Sequence, residues 1–374
     1  MLFMLRLLMC VLVAAYSSYA QDVRIGVLGL FHPRQLTVKA TPAEALIVRA
    51  GDESFVLERS SGQDAASITS SGDDLILQVG NQLVRASAIH AASRSGDATN
   101  FVLAVPAKIS RQYHGVLDVK ALSGILVPAV RMDLETAVAS AVQAESDGDT
   151  PLEGLKAQSV ATRSYFVAAR ERHHDFDFCD TTHCQFLREP PAADSIAFRA
   201  AFATRGLVLA YREYPVAAMF TRSCGGRTRT PDEVGMSHPA YPYFPVVCDY
   251  CLRNPSRWTR HVSQADAIDL HRRGEASRLD IDRRLGWDAV PSNNFTARRN
   301  AQDVVLAGTG QGHGIGLCQR GAKAMAEEGV SFREILIHYY PNTTLVEIDP
   351  HHVGATAPLV LRDRNVGRTI DLQR

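Results

Sequence analysis

The stretch that decides the fold is residues 134–166, LETAVASAVQAESDGDTPLEGLKAQSVATRSYF. Its first part is rich in alanine and contains neither glycine nor proline, which favours a helix that runs as far as Glu145. Ser146-Asp147-Gly148-Asp149 interrupts this pattern. A second helix is predicted to start at Thr150-Pro151, with Thr or Asp as its cap and Pro at its first position. Glu145 is thus expected at the end of one helix, facing the start of the next across a short loop, where a carboxylate can also be a plain helix cap.

The chain before these helices has a different pattern. Residues 21–110 contain short apolar runs separated by Gly, Ser and Asp, which is typical of β-strands. We therefore predict an α+β fold, with a β-rich N-terminal region at 21–110 and a mixed α+β domain at 111–348. Residues 349–374 are expected to form a C-terminal tail.

Residues 1–20 have the pattern of a secretory signal peptide. Arg6 comes early, an apolar run extends through Ala15, and Ser18 and Ala20 are small residues before the expected cleavage site. This predicts export to the periplasm or cell envelope, with membrane contact only through the signal segment. The alternative is an uncleaved anchor.

The charge composition argues against one class of partner. Lys plus Arg and Asp plus Glu both number 40, so the formal net charge is zero. A nucleic-acid partner is not predicted, because binding to phosphates requires clustered basic residues.

A cluster of metal-binding residue types follows the second helix. His173, Cys179, His183 and Cys184 lie within twelve residues. Two imidazoles and two thiolates suit tetrahedral Zn²⁺, and four protein ligands leave no open position, so a structural zinc site is predicted. His174 could replace His173. The alternative is a Cys179–Cys184 disulfide with exposed histidines.

Residues 308–321, GTGQGHGIGLCQRG, place His313 among glycines. The segment lacks the Lys-Ser/Thr of a P-loop, so phosphate binding is not predicted. His313 and Gln319 are instead candidates for direct ligand contacts, against the alternative of a tight loop with a hydrogen-bonded histidine. A nucleophilic role for Cys318 beside His313 is a weaker alternative.

Three further cysteines are Cys224, Cys248 and Cys251. They could form one disulfide plus a free thiol, or contribute to a second metal site for which no fourth ligand is evident. We favour a structural disulfide.

Several blocks, taken in order, resemble the SpoIID/LytB family of cell-wall proteins (stage II sporulation protein D and the amidase enhancer LytB). The matching blocks are YHGVL at 113–117, VQAE at 142–145, LEGLKAQSVATRSY at 152–165, CDTTHCQ at 179–185, SCGGRT at 223–228, GHGIGLCQRG at 312–321 and residues 335–341. Together they span roughly residues 110 to 345.

This resemblance implies a SpoIID-like catalytic domain with lytic transglycosylase activity on peptidoglycan glycan strands, including strands stripped of stem peptides. It implies that Glu145 is the catalytic acid/base and that the metal site falls on the cluster around Cys179 and Cys184. Ser223, His313 and Gln319 are candidates for sugar contacts.

Two other functions stay open. One is a non-catalytic glycan-binding module that enhances a cell-wall amidase, which makes such an amidase a candidate partner. The other is a zinc-dependent hydrolase, which the closed ligand set disfavours. The chain also departs from the family pattern, with Ser146-Asp147 where Met-Pro often follows the glutamate, and with Leu317-Cys318-Gln319-Arg320 where relatives commonly have Met-Ser-Gln-Tyr.

Overall fold

The structure is a computed structural model that describes residues 22–170, 172–237 and 239–348. The predicted signal peptide at 1–20 and the predicted tail at 349–374 lie outside the described residues. Among the described residues, no helix has the length and apolar character required to cross a membrane.

The first part of the described chain is built from strands. They are β1 (Asp22–Gly26), β2 (Gln35–Ala40), β3 (Leu46–Ala50), β4 (Glu53–Leu57), β5 (Ala65–Ser71), β6 (Asp74–Val79), β7 (Gln82–Ala86), β8 (Ala88–Ala92), β9 (Thr99–Val105), β10 (Ile109–Leu122) and β11 (Ile125–Asp133). Buried and partly exposed residues alternate along these strands, as expected when one face of a strand packs on the core. In β9, for example, Phe101 and Leu103 are fully buried.

Helices then alternate with short strands. The elements are α1 (Leu134–Glu145), α2 (Leu152–Ala168), β12 (Phe178–Cys179), α3 (Ile196–Ala203), β13 (Leu207–Tyr211), β14 (Tyr214–Pro215), β15 (Phe220–Thr221), α4 (Asp249–Arg253), β16 (Arg257–Val262), α5 (Gln264–Arg273), α6 (Glu275–Leu285), β17 (Phe295–Arg299), β18 (Val304–Thr309), β19 (Leu317–Cys318), α7 (Gln319–Glu327), α8 (Phe332–Tyr339) and β20 (Thr344–Glu347). The α+β fold class is therefore confirmed.

Strands β1 to β12 form a single branched sheet. The long strand β10 is its branch point, because its first half pairs with β9 while its second half pairs with β8 and β11. Residues of α1 and α2 pack into the same hydrophobic core as these strands. The predicted boundary between residues 110 and 111 falls inside β10, so this strand joins the N-terminal region to the helical part.

Two further cores lie beyond this sheet. The second core packs α2 against α7, α8 and β13. The third core belongs to residues 257–309, where α5 and α6 accompany the antiparallel sheet β16-β18-β17. Of these two further cores, the second lies next to Glu145, because α7 begins beside the end of α1.

A buried ion pair fixes α1 against α2. Arg163 on α2 donates to both carboxylate oxygens of Glu135 on α1, at 2.8 and 2.5 Å. Arg163 also donates to the carbonyls of Ala201 and Leu207 at 2.9 and 3.1 Å. Arg163 therefore links both helices to the end of α3 and the start of β13.

Some local predictions were wrong in detail. Pro151 is the N-cap of α2 rather than its first helical residue, and it supplies no side-chain cap. Farther along the chain, β14 forms a hairpin with β13, whereas β15 pairs in parallel with β19. This second pairing joins residues about a hundred positions apart, which local patterns do not reveal.

Candidate functional site

Glu145 is the last residue of α1 and lies next to α2. The backbone N–H of Ser146 closes the helix on Val142, and the Ser146 hydroxyl donates to Gln158 Oε1 on α2 at 2.9 Å. The start of the α1–α2 connection is therefore hydrogen-bonded to both helices. The side chain of Glu145, just before it, is partly buried.

The carboxyl group of Glu145 is kept in its neutral form to an unusually high pH. Burial raises its pKa from the usual 4.5 to about 7, against the opposing effects of a backbone hydrogen bond and the Arg222 guanidinium. That hydrogen bond comes from the Phe186 N–H, which lies 3.2 Å from Glu145 Oε1. The position at the C-terminal end of α1 also disfavours a negative charge, because the helix dipole is negative there.

The next carboxylate in the chain is engaged elsewhere. Asp147 Oδ1 pairs with the guanidinium of Arg222 at 2.6 Å, and both side chains are about two-fifths exposed. Asp147 is thus paired with Arg222 beside Glu145, and the guanidinium charge still lowers the pKa of Glu145. Asp149, in the same connection, is three-quarters exposed and lies 3.2 Å from Lys323 Nζ, so Glu145 is the carboxyl group here whose pKa burial raises.

Gln319 lies at the same place. Its side-chain amide donates to the backbone carbonyl of Glu145 at 3.1 Å. Because β15 and β19 pair with Thr221 opposite Cys318, the residues that follow, Arg222 and Gln319, emerge side by side. The structure therefore brings Gln319 to Glu145, as required of a residue that would contact the same ligand.

His313 is held by its own loop. Its Nδ1 accepts a hydrogen bond from the Ile315 N–H at 3.0 Å, and the backbone of Phe220 is a second partner of the ring. Burial lowers the pKa of this imidazole, so the neutral form is favoured. These hydrogen bonds show that His313 stabilises its own loop. A contact between His313 and a sugar stays a prediction.

Ser223 is almost fully buried. Its hydroxyl oxygen lies 3.5 Å from Cys251 Sγ and 3.4 Å from Ser256 Oγ. The hydroxyl is thus directed towards the interior, and a role for Ser223 in sugar binding stays a prediction.

His173, Cys179, His183 and Cys184 come together in space. Their potential ligand atoms all lie within 4.8 Å of one another, and both cysteines are free thiols. His173 Nε2 is 3.3 Å from Cys184 Sγ, and His183 Nδ1 is 3.8 Å from Cys179 Sγ. His174, by contrast, is 97% exposed and lies beside Asp175. The donor set fits a tetrahedral metal ion, with His173 rather than His174 as the second imidazole.

This cluster is connected to Glu145 through the backbone. Cys184 precedes Gln185 and Phe186, and the Phe186 N–H is the donor to Glu145. An ion that fixed Cys184 would therefore also fix a hydrogen bond to the candidate acid/base residue.

The structural disulfide predicted among Cys224, Cys248 and Cys251 is not formed, because all three are free thiols. They lie with Cys318 in a second buried group of four. The sequence did not suggest this fourth member, because Cys318 is 67 residues from Cys251. The burial of Cys318 also argues against its role as a nucleophile, which would have to reach a substrate.

Sequence reasoning missed three residues around Glu145, namely Phe186, Arg222 and Asp147. Arg222 directly precedes the block at 223–228, and Phe186 directly follows the block at 179–185. For Phe186 and Arg222, this position at the edge of a recognised block is the signal that could have identified them.

Comparisons with known proteins show which proteins this chain resembles. Residues 125–211 match the family model described as stage II sporulation protein, SpoIID. The chain is 27% identical over 270 residues to an uncharacterized protein of Brachyspira hyodysenteriae, in an alignment that covers 63% of this chain and 73% of that protein. It is 26% identical over 263 residues to stage II sporulation protein D of Bacillus amyloliquefaciens, covering 58% of this chain and 75% of that protein.

A shorter match reaches higher identity. The amidase enhancer of Bacillus subtilis is 44% identical over 61 residues, which are 16% of this chain and only 9% of that protein. The family model and these relatives confirm the resemblance to the SpoIID/LytB family, and the residues that match the SpoIID model include Glu145.

Proposed function

We propose that this protein is a lytic transglycosylase that cleaves the glycan strands of peptidoglycan, with Glu145 as its acid/base residue. The observation that carries the proposal is the pKa of about 7 at Glu145, which leaves much of the carboxyl protonated near neutral pH. A general acid must hold its proton at the working pH and must also be able to lose it during the reaction. A carboxyl with an ordinary pKa would be ionised and could not protonate a leaving group.

One carboxyl group is sufficient for this reaction. Ordinary glycosidases use two, one to protonate the leaving oxygen and one as nucleophile or base. In a transglycosylase, Glu145 protonates the glycosidic oxygen as the bond from that oxygen to C1 of muramic acid breaks. The carboxylate then takes the proton of the 6-hydroxyl of the same sugar as O6 bonds to C1, which forms a 1,6-anhydro end and restores the acid.

The neighbours of Glu145 have distinct roles in this proposal. The Phe186 N–H stabilises the carboxylate that forms after the first proton transfer, and Arg222 supplies a positive charge to the same form. Gln319 holds the end of α1. We propose Gln319 and His313 as sugar contacts, with Gln319 best supported because it is adjacent to Glu145. A sugar contact of Ser223 stays a prediction without a supporting contact, because its hydroxyl faces the interior.

The identity of the products tests the proposal. The purified protein is incubated with intact and with peptide-stripped peptidoglycan, and the products are identified by mass spectrometry. We expect 1,6-anhydro-muramic ends from the native protein. Hydrated reducing ends would contradict the proposal, because water would then be the nucleophile and a second group would have to activate it.

We further propose a structural Zn²⁺ at His173, Cys179, His183 and Cys184. The ion would complete a closed tetrahedral shell and hold the loop that leads to Phe186. His173→Ala is expected to lower the bound zinc by one equivalent, measured by elemental analysis. His174→Ala is the matched control, since this exposed neighbour should leave the zinc content unchanged. An equal effect of both substitutions would contradict the assignment.

Export to the periplasm or cell envelope is part of the proposal, because peptidoglycan lies outside the cytoplasm. Detection of the mature N-terminus in the envelope fraction of expressing cells would test it.

The match to an amidase enhancer favours a second candidate function. In that case the protein would bind glycan without cleaving it and would stimulate a cell-wall amidase. An amidase assay with the native protein and with Glu145→Gln separates the two functions. Equal stimulation by both proteins, without glycan cleavage by either, would favour the enhancer.

A further inference from the structure

Four thiols from three distant parts of the chain meet in the second core. Cys224 lies after β15, Cys248 and Cys251 lie at the start of α4, and Cys318 ends β19. Each is at most 2% exposed, and the four sulfur atoms lie within 4.8 Å of one another. None of the four is in a disulfide.

The spacing of these sulfur atoms suits a single metal ion. With Zn–S bonds of about 2.3 Å, the sulfur atoms of a tetrahedral site are about 3.8 Å apart. Cys251 Sγ and Cys318 Sγ are 3.5 Å apart, which is close to that spacing and well beyond the length of a covalent S–S bond, about 2 Å. An iron–sulfur cluster would have to fit several metal and sulfide atoms between the thiolates and would separate them farther.

Hydrogen-bond donors surround the group. The backbone N–H of Cys224 is directed at Cys318 Sγ at 3.4 Å, and the Tyr339 hydroxyl is directed at Cys248 Sγ at 3.4 Å. The Ser223 hydroxyl lies 3.5 Å from Cys251 Sγ. Donors directed at sulfur stabilise thiolates, and metal ligands in proteins commonly have such partners.

The close packing of the four sulfur atoms requires a glycine at residue 321. A Cβ atom at residue 321 would lie 2.6 Å from Cys248 Sγ and would also overlap the Tyr339 hydroxyl. Any side chain at this position would therefore displace one ligand sulfur and its donor, even though the glycine is inside α7, where alanine is intrinsically favoured.

We propose that Cys224, Cys248, Cys251 and Cys318 bind one Zn²⁺ in a closed tetrahedral site. With four thiolates and no open position, the ion is structural. It is separate from the His173 cluster and shares no ligand with it. Cys224 lies two residues after Arg222, and Cys318 directly precedes Gln319. The ion would therefore link the two segments that bring Arg222 and Gln319 to Glu145.

The native protein, purified without reductant or chelator, provides the primary test. We expect two zinc ions per chain by elemental analysis and native mass spectrometry. We expect X-ray absorption at the zinc edge to give an average shell of three sulfur atoms and one nitrogen, from one four-sulfur site and one two-sulfur, two-nitrogen site. A single zinc with four sulfur ligands would also support the proposal.

Three results on the native protein would overturn the proposal. They are disulfides among the four cysteines, iron in place of zinc, and a single zinc whose shell contains two nitrogen atoms. None of these depends on the folding of a variant.

Variants then locate the site. In His173→Ala we expect the remaining zinc to have four sulfur ligands, whereas in Cys248→Ser the remaining shell should contain two nitrogen atoms. Gly321→Ala should lose one zinc equivalent. Gly148→Ala is the matched control, because a Cβ at residue 148 meets nothing within 4 Å. Unchanged zinc content in both Cys248→Ser and Gly321→Ala would contradict the proposal.

Discussion

The side-chain amide of Gln319 donates a hydrogen bond of 3.1 Å to the backbone carbonyl of Glu145, 174 residues earlier in the chain. This bond joins the first residue of α7 to the last residue of α1. The C-terminal end of the helix that carries the candidate acid/base residue is therefore in contact with a distant segment of the chain. The site is therefore assembled from distant segments, and each contact between them can be tested separately.

Loss of this hydrogen bond should slow catalysis. In Gln319→Ala the Glu145 carbonyl loses its donor and the proposed sugar contact is removed. A loss of about 1 kcal/mol in the transition state, the size of one hydrogen bond, corresponds to roughly fivefold in rate. We expect kcat for glycan cleavage to fall several-fold while the pH profile is unchanged. Gln302→Ala, at an exposed position of the third core's sheet region, is the control. A loss of activity in both variants would mean that the effect is not local to Glu145.

The rate of cleavage should fall above neutral pH. The acid form of Glu145 is required, and burial raises its pKa to about 7. Above that pH, the rate should fall about tenfold per pH unit. Because the Arg222 guanidinium lowers this pKa, Arg222→Gln should shift the alkaline limb to higher pH. Arg227→Gln, which removes a partly exposed partner of Glu233, is the matched control. If Arg222→Gln left the alkaline limb of the pH profile unchanged, the titrating group would not be Glu145.

Glu145→Gln should stabilise the fold at high pH. The pKa of Glu145 is raised in the folded state, from 4.5 to about 7, so the folded state binds this proton more tightly than the unfolded chain. The native protein therefore loses stability as the pH rises from about 4.5 through 7, by roughly 1–3 kcal/mol for this partly buried group.

The glutamine variant lacks this titration. Its free energy of unfolding, measured in denaturant, should exceed that of the native protein at pH 8, and the difference should shrink as the pH approaches 4.5. A pH-independent difference would show that Glu145 is not the titrating group.

Arg163→Met should be strongly destabilising. The substitution leaves the Glu135 carboxylate buried without its partner, which typically costs about 3–5 kcal/mol. Arg94→Met is the control, since its ion pair with Glu58 is on the surface and should contribute less than about 1 kcal/mol. Chemical denaturation of both variants measures the difference. Similar losses in the two variants would contradict the role of the buried pair.

Local sequence patterns predicted much of the fold. The helix that ends at Glu145, the break after it and the following helix are determined by residues close in sequence, and the structure has them as α1 and α2. The cluster of His173, Cys179, His183 and Cys184 was also recognisable, because its members lie within twelve residues.

What the sequence did not reveal depends on pairing between distant segments. Cys318 joins Cys224 and Cys251 only because β15 and β19 lie side by side, and the same pairing places Arg222 next to Gln319. The partner of Arg163, Glu135, is 28 residues away on a different helix. Such contacts leave no regular spacing in the sequence.

The most direct test of the central claim compares the native protein with Glu145→Gln on peptidoglycan glycan strands at neutral pH. Circular dichroism and glycan binding serve as controls that the variant is folded and still binds. We expect 1,6-anhydro-muramic ends to form with the native protein and to fall by at least about a hundredfold with Glu145→Gln, which is the usual contribution of general acid catalysis. Undiminished formation of these ends by a folded Glu145→Gln protein would contradict the account.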